Sequence, residues 1–234
     1  PLAVDLDRLQ SAPSVMHWGG TDELGRDVLS RLLYAARATL LVTAGATVLD
    51  ILLASLFGVL AAYYGGWADR LLGVTIDFFW SVTFIVFVVL IISLTGVSIL
   101  SLILTIGGIN WVTAARVVRA EAARLRHQPF IQAAESFGFP PMGIIFQHLL
   151  PCLRLTLMTL TAYTAIEVLT LETGLAFLGL SLPAPHPTWG GLLADGLNYL
   201  TSAAWLVAWP TVFITLTLVS LQRLARNFER ASSR

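Results

Sequence analysis

Four carboxylates, Asp50, Asp77, Glu167 and Glu172, stand inside or beside long apolar runs of this 234-residue chain. Acids in such surroundings are rare and turn toward a bundle interior or a water-filled path. Their chemistry is therefore one of two kinds: pairing with Arg or capping a broken helix end, or lining a route for a cationic or zwitterionic solute. Glu167 and Glu172 are five positions apart, about 140° around a helix, so they do not form one catalytic pair. The four histidines, His17, His127, His148 and His186, show no metal-ligand spacing, and Cys152 is the single cysteine. No metal site and no internal disulfide is expected. All 14 cations are Arg, and a chain without Lys has neither a P-loop lysine nor a Schiff-base lysine. His-Glu-x-x-His and Gly-x-Ser-x-Gly are absent as well. These features predict a chain that is not an enzyme and binds no cofactor of its own.

The elements that must hold those acids are membrane spans. Hydrophobic residues make up 56% and charged residues 12% of the chain, about half the charge of a soluble domain. The 38 residues from Phe78 to Ala115 are uncharged. That is close to two crossings of a ~30 Å hydrocarbon core, with Thr95-Gly96-Val97-Ser98 as the turn. Spans are predicted over about 38–64, 71–94, 99–117, 155–178 and 203–222. In the first, twelve Leu, Ile, Val or Phe residues between Leu40 and Leu60 outweigh the roughly +3 kcal/mol of Asp50. Placing the Arg-rich segments inside puts ten Arg inside and four outside. Residue 1 then lies outside, and with no signal pattern an earlier span is expected. The prediction is an all-α, polytopic helical membrane protein with five visible spans and a sixth, N-terminal span missing. Residues 1–37 are expected to be an extracytoplasmic amphipathic segment and 38–234 the transmembrane domain. Equal numbers of acids and bases argue against a nucleic-acid partner.

The cytoplasmic loop at about 118–152 holds a second candidate. Pro129 fits a first helical position and Gly138 the left-handed residue just past the end, and Pro140-Pro141 block continuation. Between them Phe130, Ala133, Ala134 and Phe137 recur at i, i+3, i+4 and i+7, one apolar face of a two-turn helix. Gln132, Glu135 and Ser136 face elsewhere. So short a helix is unstable alone in water and must pack, either on its own neighbouring spans at the membrane interface or on a separate protein. The loop from about 179 to 202, with Pro183, Pro185, Pro187 and Trp189, fits an outer plug or partner site, or with Trp205 and Trp209 an interfacial aromatic belt.

Gln132-Ala133-Ala134, then Gly138, then His148-Leu149-Leu150-Pro151 resembles the EAA loop of ABC importer permeases, with Gln132 where that motif has Glu. Gly20-Thr21-Asp22-Glu23-Leu24-Gly25-Arg26-Asp27 and Glu172-Thr173-Gly174-Leu175-Ala176-Phe177-Leu178-Gly179, continuing to Pro185, Pro187 and Trp189, resemble two further blocks of the dipeptide, oligopeptide and nickel permeases. The three motifs, in order, cover about 17–209. Departures are Thr83 in place of a Pro, Ser181 in place of a Gly, and an Arg-rich tail at Leu221–Arg230 in place of an acidic block.

This resemblance implies a multi-pass permease of the bacterial cytoplasmic (inner) membrane, one half of an importer for di- or oligopeptides. Nickel is the second solute within the same family, and a stand-alone secondary transporter or channel is the reading from another class. The implied partners are a second homologous permease subunit, two ATPase subunits carrying ATP and Mg, an extracytoplasmic solute-binding protein and the lipid bilayer. Phe130, Gln132, Ala133, Ala134, Glu135, Phe137, Gly138, His148 and Pro151 would couple to the ATPase. Asp77, Glu167, Glu172 and Trp189 would line the path or a gate.

Overall fold

The computed structural model describes residues 4–81, 83–180, 182–183 and 186–232. Ser181 and Pro185 lie outside them. The described residues form helices α1 (Val28–Tyr64), α2 (Gly66–Ser81), α3 (Phe84–Thr95), α4 (Ile99–Arg126), α5 (Pro129–Ser136), α6 (Pro141–Ile144), α7 (Leu150–Phe177), α8 (Trp189–Leu197) and α9 (Trp205–Ser232). A π turn, Ile145–Leu149, joins α6 to α7. Four of these segments are long and apolar enough to cross a membrane, and α2 with α3 makes a fifth as a bent pair.

Local signals explain the helix ends. Asp27 caps α1 by accepting from the Ser30 backbone N–H, so the helix starts ten residues before the expected span boundary at 38. Burial alone would raise the Asp27 carboxyl, but hydrogen bonds from Ser30 and His17 hold it below the usual value. Ser98 and Ser101 form a reciprocal capping box at the start of α4, and the preceding turn uses Gly96 at φ 75°. Pro151 has no N–H to give to the carbonyl four residues back. The π turn absorbs this, with the Leu150 N–H reaching the Ile145 carbonyl instead.

The expected span at 71–94 is corrected: it is two helices, inclined 85° to each other. Thr83 leaves helical backbone (φ −59°, ψ 126°) at the start of α3 without a side-chain cap. The Ser81 hydroxyl back-bonds to the Asp77 carbonyl, a contact that competes with the helical ladder and bends helices. Phe78, Phe79 and Phe87 pack together at this corner, with ring centroids 5.5–5.9 Å apart.

α1 and α4 lie in close contact along much of their length. A Cβ at Gly45 would meet Ile103, one at Gly107 would meet the Ala46 carbonyl at 2.6 Å, and one at Gly58 the Ala115 carbonyl at 2.9 Å. The paired numbers rise together, so the two helices run parallel and α2–α3 is the return path. Small residues allow this backbone approach, which is how helices associate where lipid tails remove the usual hydrophobic drive. At the inner end, Val59 of α1, Val118 of α4, Ile131 of α5 and Leu149 and Leu153 beside the π turn share one apolar cluster. At the outer end the N-terminal segment meets α8 and α9: the Trp205 indole donates to the Thr21 carbonyl at 3.2 Å. Residues 4–27 and the α8 region therefore lie at the same end of the bundle.

Gly107→Ala is expected to lower stability by about 1–3 kcal/mol through forced separation of α1 and α4. Gly108→Ala, where an added Cβ meets nothing within 4 Å, is expected to be neutral or slightly stabilising. Thermal unfolding of the two variants in detergent checks the contrast.

Candidate functional site

Helix α5 forms as its ends predict. Pro129 occupies the first turn and Gly138 adopts φ 77°. The Phe139 N–H bonds to the Ala134 carbonyl (3.2 Å) and the Gly138 N–H to the Glu135 carbonyl (3.0 Å), which is the paired closure of a Schellman turn. The Ser136 hydroxyl bonds to the Gln132 carbonyl and the Gln132 amide to the His127 carbonyl.

The apolar face differs from expectation. Ile131, not among the residues singled out, is fully buried, and Ala134 is buried with it in the chain's own inner cluster. Phe130, Ala133 and Phe137 point outward, Phe137 being 83% exposed. Ala134 is therefore corrected from the outward set to the inward one. Positions 131 and 134 are i and i+3, and positions 130, 133 and 137 are i, i+3 and i+7, so this helix carries two apolar faces. Periodicity alone merged them because Ala fits either.

Polar contacts fix the helix further. Glu135 stands near Tyr63 at the end of α1, and Arg126 lies over the Tyr63 ring at 5.2 Å while donating to the Ala62 carbonyl. His148, in the π turn, packs edge-on against Phe139 at 5.5 Å, which closes the loop on itself. Pro151 is exposed in the first turn of α7. Arg119 of α4 pairs with both carboxylate oxygens of Asp69 on α2.

The intramembrane acids separate into different environments. Asp50 is fully buried, and Asn110 Nδ2 donates to Asp50 Oδ2 at 3.0 Å and to Glu167 Oε2 at 3.2 Å. Three helices, α1, α4 and α7, thus meet at one amide. Glu167 itself is exposed, on a face of α7 shared with Tyr163, Thr170 and Gly174. Glu172 is buried and hydrogen-bonded to Thr188, whose hydroxyl also accepts the Gly191 N–H to cap α8. That contact ties the outer end of α7 to α8. Glu167 and Glu172 have separate partners, as their angular spacing requires. Asp77 is exposed on α2.

Trp189 was expected at a path or gate, and its position corrects this. It is 4% exposed; its backbone N–H donates to Thr39 Oγ1 and its indole to the Leu32 carbonyl, both at 3.0 Å. The ring is sealed between α1 and Phe213 of α9. A buried Trp needs a partner for its N–H, and α1 supplies it.

Asp22 is a site that sequence reasoning passed over. It is 1% exposed and accepts from the Leu24 and Arg26 N–H groups, from Arg26 Nε at 2.7 Å and from Arg31. The run Asp22-Glu23 followed by Arg26 and Arg31 carried that signal. Its full set of partners marks it as a structural knot that holds the N-terminal segment to α1. Among the described residues, no group of three or more His, Cys, Asp or Glu side chains is placed to hold a metal ion.

Residues 54–234 match the family described as binding-protein-dependent transport system inner membrane component. The chain is 33% identical over 209 residues to an oligopeptide transport system permease protein of Bacillus subtilis, covering 88% of this chain and 68% of that one. It is 33% identical over 219 residues to the oligopeptide permease protein of Haemophilus influenzae, covering 92% and 70%. It is also 34% identical over 223 residues to a dipeptide transport system permease protein of Bacillus subtilis, covering 94% and 69%.

Ile131→Ala is expected to cost about 2–5 kcal/mol and to speed amide hydrogen exchange across residues 129–137 as α5 lifts from its seat. Phe137→Ala, on the outward face, is expected to leave that exchange unchanged.

Proposed function

The chain belongs to the family of inner-membrane components of binding-protein-dependent transport systems, and from that premise we propose that it conducts peptides within an importer driven by separate ATPase subunits. It is a multi-pass helical membrane protein and a transport subunit. Peptides are the proposed solute because similar permeases are oligopeptide and dipeptide transport proteins. The proposed partners are a second permease subunit beside it, two ATPase subunits with ATP and Mg beneath it, and a solute-binding protein at its outer face.

The observation that carries the coupling role is the two-faced helix α5. Its inward residues, Ile131 and Ala134, lock it to α1, α4 and the start of α7. Its outward residues, Phe130, Ala133 and Phe137, leave apolar area facing the cytoplasm. Large exposed apolar side chains on one short element mark a protein contact. An ATPase subunit that closes around this face on binding ATP would push α5, and the packing of Ile131 and Ala134 would pass that push to the spans. The push becomes a tilt of α1, α4 and α7, with the energy coming from the difference in ATP affinity between the two conformations. Gly138 keeps the exit from α5 tight, and His148 and Pro151 hold the return to α7. Gln132 and Glu135 flank the outward face. Asp77, Glu167 and Glu172 are proposed for the path or its outer gate, Glu172 acting through Thr188 on α8.

Replacing Phe130 and Phe137 together by Ala is expected to weaken retention of the ATPase subunits on the tagged, purified chain by about tenfold or more, since burial of each Phe is worth about 1.5–3 kcal/mol. Unchanged retention would overturn the docking assignment. Gly138→Asp places a Cβ at positive φ and a charge at the turn; ATP hydrolysis without peptide uptake is the expected result in proteoliposomes. Normal uptake at normal complex levels would count against it.

A further inference from the structure

The Asp50–Asn110–Glu167 cluster has more oxygen than its protein partners satisfy. Asp50 is fully buried, yet its Oδ1 has no hydrogen-bond partner among the described residues. The hydroxyl oxygens of Thr43, Thr47 and Thr105 are likewise buried without partners. Thr43, Thr47 and Asp50 follow i, i+4, i+7 spacing on one face of α1. Thr105 lies across from them on α4, in the register set by Gly107 against Ala46. Buried polar atoms are almost always paired, and unpaired ones point to a water or ion that belongs there.

The charge of the cluster is also unanswered. Arg side chains pair with Asp22 and Asp69, but among the described residues neither Asp50 nor Glu167 has an Arg partner. One neutral amide, Asn110, is shared between two carboxylates. Asp50, Asn110 and Glu167 lie 14, 16 and 17 residues from the inner ends of their helices, about 21–26 Å along the axis at 1.5 Å per residue. They therefore share one depth near mid-membrane. Glu167 is exposed there, and an acid at that depth faces a water-filled path rather than lipid.

We infer that Asp50, Asn110 and Glu167 form a cation-accepting site partway along the translocation path, one that favours peptides carrying a positively charged side chain. This rests on the peptide-importer reading above. Glu167 is the accessible contact for an ammonium or guanidinium group. Asn110 fixes that carboxylate and links it to Asp50, which lies buried behind it with the Thr hydroxyls and makes the surroundings of Glu167 rich in acceptor oxygens. The site discriminates by sign: it attracts a lysyl or arginyl side chain, tolerates a neutral one and repels an acidic one.

The test uses the whole complex, with its binding protein, in proteoliposomes, and measures uptake of Ala-Lys-Ala, Ala-Gln-Ala and Ala-Glu-Ala. Each variant meets the same binding protein, so a changed ratio belongs to the membrane chain. Glu167→Gln is expected to lower the Lys-to-Gln uptake ratio about tenfold, the factor that about 1.4 kcal/mol of charge pairing produces, and Asp50→Asn to lower it in the same direction. Glu121→Gln, an acid paired with Arg124 at the inner end of α4, is expected to leave the ratio unmoved. A Glu167→Gln complex that melts lower but keeps the wild-type ratio overturns the inference, because a merely structural polar contact behaves so. Should Asp50→Asn fail to assemble, the exposed Glu167→Gln decides the matter alone. If the assembled wild-type complex takes up none of the three peptides, the peptide reading fails and the site falls with it. Uptake with an unaltered ratio removes the site and leaves the importer.

Discussion

The close parallel packing of α1 against α4 is the constraint from which the rest of the molecule follows. Gly45, Gly58 and Gly107 bring the two backbones within reach of each other's side chains and carbonyls. In a bilayer, where burying Leu against lipid or against protein is nearly equivalent, such contact is a main source of association. The same approach places Asn110 beside Asp50 at mid-depth and Arg126 beside Tyr63 at the inner end. It also forces the intervening chain to cross back, which α2 and α3 do with a sharp corner. A wider spacing would leave Asp50 without its amide partner.

The proposed roles are distributed along this seam by depth. At the outer end, Trp189 and Glu172 fasten α8 to α1 and α7. In the middle lies an oxygen-rich cluster in which two carboxylates share one donor. At the inner end, α5 sits on Val59, Val118 and Leu149 and presents Phe130 and Phe137 away from the bundle. A buried inward face and an apolar, open outward face suit the lever proposed above: attachment on one side and a grip on the other. The seam joins α5, the cluster and α8 through helices of which α1 is unbroken from Val28 to Tyr64.

Much of this was legible in the residues because it is governed by local chemistry. Uninterrupted apolar length set the spans, Arg asymmetry set which ends share a side, and Pro129 with Gly138 set both ends of α5. The corner between α2 and α3 was not legible, because Phe78 to Thr95 is uncharged throughout and the break has no Gly or Pro to mark it. The inward turn of Ile131 was missed for a related reason: on a two-turn helix with apolar residues on both sides, spacing alone does not say which side meets the core. Trp189 read as a surface aromatic because its partners, Leu32 and Thr39, lie more than 140 positions away.

The sequence by itself determined that this is a helical membrane chain, which of its ends lie together, and where the short helix α5 starts and stops. Each of these depends on neighbours in the chain: apolar length, charge distribution and the backbone limits of Pro and Gly. Only the tertiary structure decided that Asp50 and Glu167, 60 and 57 positions from Asn110, converge on its amide, and which face of α5 is spent on the chain itself. Hydrogen bonds reach about 3 Å, so such meetings exist only once three helices have packed.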